Sequence, residues 1–232
     1  VKLRVLYEDN HLLVVDKPAG LLAQRDASGR PALVDLAKAH RKSSEGKPGD
    51  AYIGLVHRLD EPVSGVVVLA KTSKAAARLS EQFRARRVRK EYLAVVEAPL
   101  GGGRLPPEGA WTLWQDQVAR RPEERRPAKE QDCRTECRLV GRAGRWALLA
   151  LRPITGRKHQ LREQAALRGL PIVGDRRYGS QGPFEGGIAL HAAGLRLEHP
   201  VLRKPMQFRC PPPGAWRRFP FAAGAYLLGE DP

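Results

Sequence analysis

The sequence predicts a fold that mixes strands with amphipathic helices, on three observations. The opening residues alternate apolar and polar side chains about a turn, two later segments space apolar residues at helical intervals, and residues 131–153 return to strand patterning. At 232 residues the chain suits one medium domain spanning 1–232, or two closely fused halves, since domains run to roughly 100–200 residues.

In chain order, LRVLYED and HLLVVDKP, separated by Asn10, read as a hairpin. PALVDLAKAHRK sets Leu33, Leu36 and Ala37 at helical intervals behind Pro31, a residue favoured at helix starts, and KSSEGKPGD follows as a polar loop. YIGLVHRLD reads as a strand that runs through EPVSG into the β-rich GVVVLA, which sets Asp60 at the junction of a strand and a Pro-containing loop. In SKAAARLSEQFRARRV, Ser73 is the expected N-cap and Ala76, Leu79 and Phe83 share a face. Its basic end leads into the strand EYLAVVEA. Residues 99–130 carry GGG, the pair Pro106–Pro107, Trp111, Trp114 and the mixed-sign run RRPEERRPAKE, and read as a long surface excursion between two halves of a sheet. Strands resume at CRTECRLV and RWALLALRP, and the turn ITG leads to a helix at HQLREQAALRG, closed by Gly169.

Lys and Arg number 41 against 25 Asp and Glu, a formal charge of +16. Such an excess points to a polyanion, whose condensed counterions are released when basic side chains replace them. The cluster Arg84, Arg86, Arg87 and Arg89 suits phosphate, because a guanidinium donates two parallel hydrogen bonds. No stretch approaches the ~20 apolar residues of a membrane-spanning helix, and the acidic, alternating N-terminus fits neither a secretory signal nor a transit peptide. A cytoplasmic location is expected. Three cysteines, Cys133, Cys137 and Cys210, are too few for a disulfide framework. Four steps along a strand would put Cys133 and Cys137 about 13 Å apart, too far for one zinc, so both are expected to be half-buried strand residues.

Chemistry concentrates in GLVHRLDEPVSGVVVLAKT (54–72), ITGRKHQLREQAALRGLPIVGDRRYG (154–179) and IALHAAGLRLEHPV (188–201). Together they resemble the RluA family of RNA pseudouridine synthases. Its pattern is HRLD with a Ser-Gly turn and an apolar strand ending A-K-T, then T-G-R-x-H-Q-[IL]-R, P-[IL]-x-G-D-x-x-Y-G, and L-H-A running to H-P. All four occur here in order, and YEDNHLLVVDKPAG resembles the family's first strands.

The resemblance implies an α+β fold: a bent mixed sheet, mainly antiparallel, in two halves, with flanking helices and a central active-site cleft. It implies isomerisation of uridine in structured ribosomal or transfer RNA, by breaking the N1–C1′ bond, turning the uracil and rejoining it through C5. That reaction needs a nucleophile, and no cofactor or metal is expected. The HRLD carboxylate, Asp60, maps to the nucleophile; an acid in such a loop would otherwise read as a turn residue. Arg162 maps to the cation that holds this carboxylate, with a salt bridge on the helix surface as its plainer reading. Tyr92, in KEYLAVVEA, maps to a ring that stacks on uracil and whose hydroxyl serves proton removal; by itself it reads as a core strand residue. Leu190 maps to the apolar lining of the uracil pocket.

Arg157 and Lys158, on the turn before the helix near His159, are expected on phosphate, with Arg86, Arg87 and Arg89. Arg58, two strand positions before Asp60 and so on its face, is a candidate wedge for the gap left by a flipped base, or a phosphate contact. His57 then faces away and reads as structural, as do His191 and His199. The chain departs from the family at Val63, at Glu61 and at Glu163–Gln164, which puts the contacts around Arg162 in question. An S4-like domain is not expected, nor a membrane or nucleotide partner; a monomer is. A glycosidase would need a second carboxylate across the bond, and Glu61, adjacent to Asp60, would face the other way. A phosphate-binding G-x-x-x-x-G-K-[ST] loop is missing from the sequence. An RNA-binding module without chemistry is the reading from another class.

Overall fold

The computed structural model describes residues 3–46, 51–98, 103–118, 131–185 and 187–221. The chain begins with the antiparallel pair β1 (Arg4–Glu8) and β2 (Leu12–Lys17). Asp9, rather than Asn10, makes the turn: its Oδ1 accepts the N–H groups of His11 and Leu12, both at 2.7 Å. Helix α1 (Leu33–Glu45) follows. Of the expected strand YIGLVHRLD only β3 (Gly54–Leu55) is strand, and residues 56–63 form a loop. That loop enters β4 (Ser64–Ala70), which pairs with β2. Helix α2 (Ser73–Arg84) is capped one residue earlier than expected, since Thr72 Oγ1 accepts from the Ala75 N–H.

Strands β2 and β4 read as unbroken apolar runs because both their faces are covered. Leu13, Val15, Val67 and Leu69 pack in one core with Leu33 and Ala37 of α1. Leu12, Val14, Val66 and Val68 pack in a second with Ala75 and Leu79 of α2.

The second half contains β5 (Arg89–Glu97), β6 (Thr112–Val118), β7 (Gln131–Ala143) and β8 (Trp146–Pro153), side by side in the order β5-β8-β7-β6 and all antiparallel. Strand β6 corrects the reading of 99–130 as a surface excursion, for Trp114 is buried and pairs with Thr135 of β7; residues 99–102 and 119–130 lie outside the described residues. Cys133 and Cys137 are fully buried rather than half-buried, because α3 (Gln160–Ala166) covers their face of β7. The two halves meet at β9 (Leu190–Glu198). One edge of β9 pairs with β5; the other pairs in parallel with β4 at Ser64–His191 and Gly65–Ala192, then with β10 (Pro205–Arg209). The approach at Gly65 requires glycine: its φ is +120° and a Cβ there would overlap the Ala192 backbone. This is the α+β sheet in two halves that the resemblance implied, and the seam at β9 sets the start of β4, with the Asp60 loop before it, one strand away from β5.

Candidate active site

The loop carrying Asp60 is held from several sides. His57 Nε2 accepts the Val68 N–H at 3.0 Å while its ring stacks on Phe83 at 4.6 Å. Enclosure, with the nearby Lys90 charge, pushes its pKa down to about 3. Further along, Val63 N–H donates to Asp60 O, Gly20 N–H to Glu61 O and Ile188 N–H to Pro62 O. Under the loop lies Lys17, fully buried, its Nζ donating to the carbonyls of Pro18, Leu21 and Glu61 at 3.0, 2.8 and 3.1 Å. Burial lowers its pKa to about 8, against the charges of Asp60, Glu61 and Asp16.

Arg162 projects from α3 toward this loop, but its fork is not aimed at Asp60. Nε and Nη2 hold the two oxygens of Asp175 at 2.6 and 2.8 Å, which leaves Nη1 3.4 Å from Asp60 Oδ2. Burial opposes the Arg162 charge, yet the Asp175 hydrogen bonds and the Asp175 and Asp60 charges outweigh it and raise its pKa. Arg162 therefore meets Asp60 through Nη1 alone, while the buried Asp175, 1% exposed, takes the bidentate pair. His159 approaches from the other side, Nε2 3.6 Å from Asp60 Oδ2, with Nδ1 3.1 Å from the Tyr178 hydroxyl. It does so at φ +58°, left-handed backbone that non-glycine residues rarely adopt.

A cavity of about 400 Å³ opens here, lined by Asp60, Tyr92, Arg162 and Leu190 with Arg58, Arg86, Arg157, His57, Lys90 and His159. Its size is that of a small-molecule site. The structure therefore brings together the four residues expected at the reacting base. Burial, then the Asp60 charge, raises the Tyr92 pKa above that of an ordinary phenol, so its hydroxyl stays neutral and is a weak base. Arg58 is exposed on the loop; the strand argument that set it on the Asp60 face does not hold, yet it lines the cavity. His57, expected to face away, lines it too, because a loop has no alternation of faces. Lys158 is exposed on the turn outside the cavity, and Arg87 and Arg89 line a neighbouring groove. Glu61 does not join Asp60: it pairs with Arg30 at 2.7 Å. His191, between Ser64 Oγ and the Cys210 carbonyl, and His199, on Asp9, are structural as expected.

The departure at Gln164 supplies a tie rather than a gap. Its buried amide donates to Trp114 O, Asp116 Oδ2 and Cys133 O and accepts from Thr135 Oγ1, which fastens α3 to β6 and β7. Sequence reasoning gave no role to Asp175, His159, Lys17 or Lys90. Asp175 and His159 stand inside quoted motifs, so a signal was present; nothing in VVDKPAG said that Lys17 is buried.

The model of the RNA pseudouridylate synthase family matches residues 11–167. The chain belongs to that family. It is an isomerase of the RluA type, as two relatives confirm. The dual-specificity RNA pseudouridine synthase RluA of Escherichia coli is 37% identical, over 89% of this chain and 92% of the relative. The ribosomal large subunit pseudouridine synthase D of Xylella fastidiosa is 35% identical, over 92% and 67%. Among solved structures, human RNA pseudouridylate synthase domain containing 4 superposes with a TM-score of 0.74 at 25% identity, covering 99% of this chain and 94% of that one.

Proposed function

We propose that this RNA pseudouridine synthase acts on specific uridines in structured ribosomal or transfer RNA, with Asp60 as nucleophile. The observation that carries the reading is the position of Asp60: a partly exposed carboxylate at a cavity mouth, faced by Nη1 of an arginine whose Nε and Nη2 are held on Asp175. Ribosomal and transfer RNA are both named among relatives' substrates, and the basic surface suits either.

In this reading the target uridine leaves its stack and enters between Tyr92 and Leu190, with Arg58 at the gap it leaves. Asp60 attacks, the N1–C1′ bond breaks, the uracil turns, and C5 bonds to C1′ as the Asp60 carboxylate is released, while N1 takes up a proton and C5 gives one up. Arg162 Nη1 keeps the carboxylate aimed, and the neutral Tyr92 hydroxyl passes the C5 proton on rather than holding it as a base. Arg86 and Arg157, at the rim, with Arg87, Arg89 and Lys158 outside it, hold phosphates. The chemistry calls on no cofactor. A single chain acting as a monomer in the cytoplasm completes the reading; among the described residues no helix is long and apolar enough to cross a membrane.

The test is tritium release from transcripts of large-subunit ribosomal RNA and of tRNAs labelled at uracil C5. Wild type is expected to release label from one or a few sites and Asp60→Asn from none. Transcript binding without release by wild type would favour the non-catalytic module.

A further inference from the structure

Beyond the cavity, the basic surface is organised around one pair of side chains. Arg89 of β5 and Arg196 of β9 are direct partners in the antiparallel register, so their side chains leave the same face side by side. Like charges directly opposite across two strands destabilise a sheet, yet among the described residues neither guanidinium has a carboxylate within ion-pair distance, and Arg196 Nε is buried without a hydrogen-bond partner. The acids nearby are already engaged: Glu91 takes Arg152 at 3.0 Å and Glu198 takes Arg203 at 2.9 Å. Glu136, on β7, is two strands away from Arg89 in the sheet.

The pair sits where two grooves join. One shares Arg86, Val88, Lys90, Pro153 and Ile154 with the catalytic cavity, and Arg89 and Arg196 line both it and the next groove, which runs along β9 and β10. A strand whose base occupies the cavity can follow this path without leaving basic surface.

We propose that Arg89 and Arg196 form a phosphate-binding subsite for the RNA strand flanking the flipped uridine. Two neighbouring guanidinia offer a phosphate the parallel N–H pairs it accepts best, and an anion between them removes their mutual repulsion. The inference rests on the reading that RNA enters the cavity; it adds where the flanking strand runs and brings in Arg196, to which the sequence motifs assign nothing.

The experiment is filter binding of an unmodified tRNA transcript across a salt series, with wild type, Arg196→Gln, Arg196→Lys, Arg89→Gln/Arg196→Gln and Asp60→Ala, alongside thermal melts. Arg196→Gln is expected to weaken binding about tenfold, the worth of one charge-assisted contact, and to flatten the dependence of log affinity on log salt by about 0.7–0.9. Its melting temperature is expected to hold or rise, since a repulsion is relieved. Arg196→Lys is expected to retain the salt slope while losing affinity, and the double variant to lose more slope than the single one. Wild-type affinity and slope in the double variant would overturn the proposal, as would a fall in melting temperature that accounts for the lost affinity. Asp60→Ala separates the two readings: tight binding with no pseudouridine formed leaves the subsite to be judged by the slopes alone, while label release by Asp60→Ala sinks the catalytic reading and leaves the subsite standing.

Discussion

The catalytic cavity and the Arg89–Arg196 groove treat positive charge in opposite ways. Around the Asp60 loop two buried cations are tied: Arg162 to Asp175 and Asp60, Lys17 to three carbonyls. In the groove two guanidinia face one another with no carboxylate between them. Tied charge fixes geometry, as a buried ion pair does once its desolvation has been met by good hydrogen bonds; untied charge on a groove is held for a ligand. The same residue type, arginine, therefore positions a carboxylate in one region and waits for phosphate in the other.

The comparison breaks most severely at Asp175, which does not line the cavity. Asp175→Asn is expected to lower kcat by about two to three orders of magnitude by freeing the Arg162 fork, and to cost about 3 kcal/mol of stability, since it leaves a buried guanidinium without its charge partner. Single-turnover kinetics with a urea titration measure both; near-wild-type kcat would show that Arg162 needs no anchor. Next is the state of Tyr92. With its pKa above the ordinary phenol value, kcat at saturating RNA is expected not to rise between about pH 8 and 10, where a phenolate base would make it climb.

His57 gives a smaller, pH-gated effect. Its folded pKa of about 3 lies below the unfolded value, so the unfolded chain binds the extra proton between the two. Stability is then present above about pH 6.5 and is lost as pH falls toward 3, on the order of 1 kcal/mol per pH unit. His57→Gln, which can still accept from Val68 N–H, is expected to show a shallower acid loss in melts from pH 7 to 4. The smallest effect belongs to Lys90, whose pKa burial and Arg86 lower to about 8. Its charge is present below that pH and fades above it, so RNA affinity is expected to decline a few-fold as pH passes 8, and Lys90→Arg to abolish the decline.

Much of the fold was legible because its signals are local. The β1–β2 turn, the α2 face and the strand patterns of β5, β7 and β8 follow from spacing and turn chemistry, and the motifs located Asp60, Tyr92, Arg162 and Leu190. What escaped depends on contacts distant in sequence. Strand β6 hid in a Pro-rich stretch because its pairing to β7 and the burial of Trp114 are tertiary facts. The segment at Arg58 carries strand-like residues, yet Lys17 and the Gly20 and Ile188 backbone hold it as a loop. No spacing rule could say that Arg162 spends its fork on Asp175, since that choice turns on which carboxylate is drier.

The central claim is that Asp60 is the nucleophile, and it is tested most directly in cells that lack the gene. Pseudouridines in total RNA are mapped by site-specific chemical reactivity, then mapped again after complementation with wild type or Asp60→Ala. The account predicts that one or a few sites vanish and that only wild type restores them. Full restoration by Asp60→Ala, or no vanished site at all, would contradict it.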